Sequence, residues 1–162
     1  MKEVRKMMKL LLPVPLMIAL IGCDGMKSGP PIKAIATREE IMHHLVIPSA
    51  QIVWNGSGTI FTAKGTEERK PKSEDDWFIV ETAAITLMEA GNLLMMDGRA
   101  MDNGQWIQRS RALREAGDGV LKAAKARNVD SLFETGGALF DTCQGCHFQY
   151  RFQYDPKIMR TH

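Results

Sequence analysis

Apolar residues recur at helical spacing in four stretches of this chain, separated by polar or glycine-containing connections. The first runs from about Thr37 to Trp54, and Thr37 with Glu40 three positions on has the pattern of a capping box. Pro48 lies inside it and is expected to kink the helix or divide it in two. The second opens at Ser73, followed by Glu74, Asp75 and Asp76 at what would be the positive end of a helix. Its stripe runs through Trp77, Val80, Ala84, Leu87, Met88, Gly91, Leu94 and Met95, ending near Asp97-Gly98. The third has Asp102 as its cap, Gln105 three residues later and Met101 placed to staple onto Trp106. It continues through Leu113, Val120, Leu121 and Ala124 to about Arg127. Asp130 opens the fourth, which carries Leu132, Phe133, Leu139 and Phe140, with Gly136 and Gly137 lowering its helix propensity.

Between the first and second stretches, residues 55–72 form a connection long enough to suggest a purpose of its own. Thr59 to Ala63 ahead of Lys64-Gly65 reads as a small hairpin arm. The pattern predicts an all-α protein, an antiparallel four-helix bundle over about residues 36–154 with a tail at 155–162. Cofactor sites in such bundles lie in the core between facing helices.

The N-terminus changes the picture. Lys2, Arg5, Lys6 and Lys9 precede an apolar run from Leu10 to Ile21 that is the length of a signal-peptide core and too short to span a bilayer. The run closes on Leu20-Ile21-Gly22-Cys23, which resembles the lipobox of bacterial lipoproteins. Residues 1–22 are then a signal peptide, Cys23 is the lipidated first residue, and 23–35, rich in Gly and Pro, is a tether. By the same resemblance Asp24 favours retention at the inner membrane, on its periplasmic side. Removing residues 1–22 takes away four Lys/Arg and one Glu, turning a formal charge of +2 into about −1. A nearly neutral globule is a poor match for nucleic acid.

The other two of the three cysteines stand in Cys143-Gln144-Gly145-Cys146-His147, and C-x-x-C-H is the attachment signature of c-type haem. On a helix advancing about 100° per residue, both thiols and the imidazole share one face. Two thioether bonds and one proximal iron ligand can therefore come from a single helical turn. Two other readings of the cysteines stand beside this one. A thioredoxin-like redox pair needs a βαβ context, which the pattern lacks. Half of a zinc site needs further Cys or His at ligand spacing, and none is well placed. Gly136 projects onto the same side of the fourth helix, where a missing side chain permits close approach.

The motif on the last of four helices, followed by an aromatic and a basic residue in Phe148-Gln149-Tyr150-Arg151, resembles class II c-type cytochromes. These are the cytochrome c′ family and its six-coordinate relatives. The resemblance implies His147 as proximal ligand to one covalently bound haem c and a distal side built by the first helix. It implies either an open, gas-accessible iron or a methionine ligand, and many relatives form homodimers. On a straight helical wheel Met42 falls inside the apolar arc of Ile41, Leu45, Val46, Ser49, Ile52 and Val53. His43 and His44 fall off it, and a kink at Pro48 would bring one of them inward. Met42 is thus the expected distal ligand, with an open site or a histidine as alternatives. His162, at the end of the tail, is not expected to reach the iron. Arg151, four residues past His147, is expected either to hold a haem propionate or to lie over the proximal imidazole.

No Ser-His-Asp arrangement, phosphate loop or paired-carboxylate pocket is legible, so no enzyme activity is expected. The expected function is a membrane-tethered periplasmic electron carrier exchanging single electrons with redox partner proteins. The alternative is a five-coordinate protein binding nitric oxide or carbon monoxide.

Overall fold

The computed structural model describes residues 32–152, and Cys23 and His162 lie outside that range. The chain is mostly helical, with one small two-stranded sheet. Helix α1 (Arg38–Ile41) begins at the anticipated capping box: the Thr37 hydroxyl accepts from the Glu40 N–H, and the Glu40 carboxylate accepts from the Thr37 N–H. It runs through a wide π turn (Met42–Val46) straight into α2 (Ile47–Asn55). Pro48, second residue of α2, has no N–H to return to the preceding turn. The helix absorbs this by widening, so that the Ile47 N–H reaches five residues back to the Met42 carbonyl. The expected break is therefore an inserted residue within one rod. Burial records it, since the buried apolar positions run Ile41, Val46, Ala50, Val53, with a step of five across the π turn.

The connection that follows forms the hairpin: β1 (Gly58–Thr62) pairs antiparallel with β2 (Gly65–Arg69), Thr62 opposite Gly65. Gly65 closes the turn at φ 124, a backbone region that favours glycine. Helix α3 (Glu74–Leu94) starts at Ser73, whose hydroxyl accepts from the Asp76 N–H. Helix α4 (Gln105–Lys125) has Gly104 at its N-cap, two residues past the expected Asp102. Asp102 still serves the helix end, because its Oδ1 accepts from the N–H groups of Gly104 (2.7 Å) and Trp106 (3.0 Å). Helix α5 (Val129–His147) is capped by Asn128, which accepts from the Ser131 N–H, and Asp130 sits inside its first turn. A second π turn (Phe148–Phe152) ends the described chain.

The four helical rods share one apolar core whose deepest large side chains are Ile41, Val53, Leu87, Val120, Leu132 and Leu139. Helices α3 and α4 approach most closely. A Cβ added at Gly91 would lie 2.8 Å from the Ser110 carbonyl oxygen, and one at Gly117 would lie 3.1 Å from that of Ala84. Buried Ala83, Ala84, Ala90, Ala123 and Ala124 are in keeping with this tight seam. Arg127 ties its far end: at φ 51 it pairs with Glu74 (2.7 Å) and Glu81 (2.5 Å) and lies over the Trp77 ring. No helix among the described residues is long and apolar enough to cross a membrane.

Candidate functional site

Where α3 and α4 close tightly, the first rod, the start of α4 and the end of α5 do not. A cavity of about 420 Å³ lies among them, with a lining that is mostly apolar. The first rod contributes Met42, Val46, Ile47, Ala50 and Trp54, and α4 contributes Trp106, Arg109, Ser110 and Leu113. Helix α5 contributes Phe140, Cys143, Cys146 and His147, and Phe148 follows from the closing π turn. The π turn in the first rod has a consequence here, because it carries Met42 and Val46 into the same wall as Ala50 and Trp54. His43 and His44 are exposed and take no part in the lining.

Aromatic side chains brace the walls. Trp106 is buried, donates its indole N–H to the Leu94 carbonyl (2.7 Å), and meets the Tyr150 ring edge-on at 4.9 Å. Trp54 is more open, at 37% exposure, and donates to the Gly136 carbonyl (3.0 Å). Its ring meets Phe140 edge-on at 5.8 Å. Gly136 thus receives the first rod: an added Cβ would stand 3.6 Å from both Trp54 Cδ1 and Val53 Cγ1. It is not part of the cavity lining, and the close approach it serves is that of one helix to another.

Among the polar and sulfur groups of the lining are two thiols, one imidazole and one thioether. Cys143 and Cys146 are both free and half-buried. Burial pushes the Cys143 thiol up to about 11, with a smaller push from Cys146 beside it. Burial also raises the Cys146 thiol, partly offset by the positive charge of Arg109. Both thiols are therefore protonated at neutral pH. Burial lowers the proton affinity of His147, and the charge of Arg151 lowers it further, so the imidazole is neutral and has a lone pair to offer. The His147 imidazole of α5 and the Met42 thioether of the first rod line the same cavity as the two thiols, which stand one turn apart. No group of three or more His, Cys, Asp or Glu placed to hold a metal ion occurs among the described residues.

Arg151 lies on the exposed side of the closing π turn, outside the cavity lining, and reaches the site through its charge on His147. The cation in the wall is Arg109, which the helical pattern alone did not single out. Its signal was present, since Arg109 lies between Trp106 and Leu113 on the face of α4 that turns inward. The hydrogen bond that the Tyr150 hydroxyl donates to Asp102 Oδ2 was not legible at all.

Compared with protein-family models, with curated proteins and with solved structures, the chain matches none.

Proposed function

We propose that this chain is a monohaem c-type cytochrome, a four-helix bundle that carries single electrons. The observation that carries this reading is that Met42 from the first rod lines the same apolar cavity as Cys143, Cys146 and His147 from α5. The residues present fit the group. Two half-buried free thiols one turn apart suit the two vinyl substituents of haem, the neutral imidazole of His147 suits its iron, and the apolar lining suits a porphyrin face. Bound there, haem would supply a one-electron iron couple.

The protein's own part is to hold, shield and tune. Cys143 and Cys146 would form the thioether bonds and His147 the proximal bond. Met42 would offer its sulfur on the distal side, raising the reduction potential relative to a second histidine. Trp54, Trp106, Leu113 and Phe140 would keep water from the ring, which favours the less charged, reduced state. In this reading Cys23 carries the lipid anchor, the domain works in the periplasm, and its partners are redox proteins rather than an organic substrate.

The optical spectrum of protein from cells competent in haem attachment tests the proposal. Colour should stay on the polypeptide after acid-acetone treatment, the mass should rise by one haem, and the oxidised form should be low-spin. A colourless protein with two free thiols would overturn it, and a high-spin, gas-accessible iron would replace the electron carrier by the gas-binding alternative. Cys23→Ser should release the protein from membranes with its spectrum unchanged.

A further inference from the structure

One charged side chain stands in the wall of the cavity. Arg109 is half-buried, it lines the apolar cavity, and it makes no hydrogen bond or ion pair with another described residue. A guanidinium at the wall of an apolar cavity, with no carboxylate beside it among the described residues, is free to take an anion. The sequence also makes room for it. Gly145, between the two cysteines, has no side chain, and a Cβ added there would stand 2.8 Å from Arg109 Nη1. The guanidinium therefore lies against the C-x-x-C turn, where Gly145 leaves it room.

A ligand that satisfies this cavity must be apolar over most of its surface and carry an anionic group. Haem meets that description through its two propionate carboxylates, and a guanidinium fork is the side chain best matched to a carboxylate. We infer that Arg109 is the anion-binding residue of this cavity, clamping one haem propionate from α4. This rests on the haem reading of the site and deepens it. It also assigns to α4 a task that the sequence suggested for Arg151.

The electrostatics of the wall make the inference testable. Among the residues lining the cavity, the first rod and α3 contribute no titratable group, and α4 contributes Arg109 alone. Helix α5 contributes Cys143, Cys146 and His147, all three engaged by the cofactor, and Arg151 acts on His147 from outside. A propionate paired with Arg109 stays ionised throughout the working range, so the reduction potential should be flat with pH. Without the pair, the propionate takes up a proton within that range. Its negative charge favours ferric over ferrous iron, so the potential should then fall as pH rises through its pKa.

The experiment is the midpoint potential of the holoprotein against pH for wild type, Arg109→Met and Arg109→Lys, with haem attachment checked by mass. Arg109→Met should match wild type at acid pH and fall below it at alkaline pH. Arg109→Lys, which keeps the charge, should restore most of the flat profile. A constant offset at every pH would mean that Arg109 acts as a bare charge, and superimposable curves would mean that it does not act. Either result overturns the inference, as does an Arg109→Lys variant that titrates like Arg109→Met. A wild type that carries no haem would instead overturn the functional reading beneath it.

Discussion

The Tyr150 hydroxyl donates to Asp102 Oδ2 at 2.5 Å, joining the closing π turn beyond His147 to the loop that starts α4. The other oxygen of Asp102 accepts from the N–H groups of Gly104 and Trp106. One carboxylate thus caps the helix that carries Arg109 and anchors the turn that follows His147. Chief among the causes that hold it below the usual carboxylate range is the Tyr150 hydroxyl, followed by the Trp106 N–H. A depressed folded pKa gives stability that is present above the unfolded value of about 3.9 and is lost as pH falls through the folded value. Asp102→Asn should melt below wild type at neutral pH, and the gap should close as the pH drops below about 4. A gap of constant size down to pH 2 would show that the charge of Asp102 is not what stabilises.

For Met42, the expected outcome is a change of spin state. Met42→Ala should move the oxidised iron toward high spin, lower the potential and speed carbon monoxide binding to the reduced protein. His43→Ala and His44→Ala should leave all three nearly unchanged, because both side chains are exposed and outside the cavity lining. Ligand loss on replacing a histidine instead would exclude Met42 as the distal ligand.

Protein made without haem attachment should have sluggish thiols. The thiolate is the reactive form, and burial holds Cys143 at about 11. Alkylation by iodoacetamide should therefore be slow at pH 7 and accelerate toward pH 11. Cys146, whose thiolate the Arg109 charge favours, should react first. Mass spectrometry of partly alkylated peptides gives the order, and equal rates at neutral pH would contradict it.

Two glycines should respond in opposite directions. Gly91→Ala puts a methyl 2.8 Å from the Ser110 carbonyl oxygen, a backbone atom that cannot step aside, and should cost roughly 1–3 kcal/mol. Gly137→Ala meets nothing within 4 Å on an exposed stretch of α5 and should gain about 0.5–1 kcal/mol from helix propensity. Denaturant melts of the two variants measure both. Equal effects would mean that the α3–α4 seam is looser than its geometry.

Local chemistry by itself determined much of this protein. Periodicity, the Thr37–Glu40 capping box, the Ser73 cap and the Lys64-Gly65 turn depend on residues a few positions apart, so four helices and a hairpin were legible in the chain. The same holds for Cys143, Cys146 and His147, whose shared face follows from helical pitch alone. What depends on distant neighbours was decided only by the tertiary structure. A wheel drawn at constant pitch could not know that Pro48 would be absorbed by a π turn, which keeps Met42 in the cavity wall. Gly136 shares a side with the motif on that wheel, yet it packs on Trp54 and Val53 because α2 reaches it there. Arg109 rather than Arg151 lines the cavity because that depends on which face of α4 the α3 seam leaves inward. Helical pitch places side chains around one axis, and only the packing of several axes settles which of them meet.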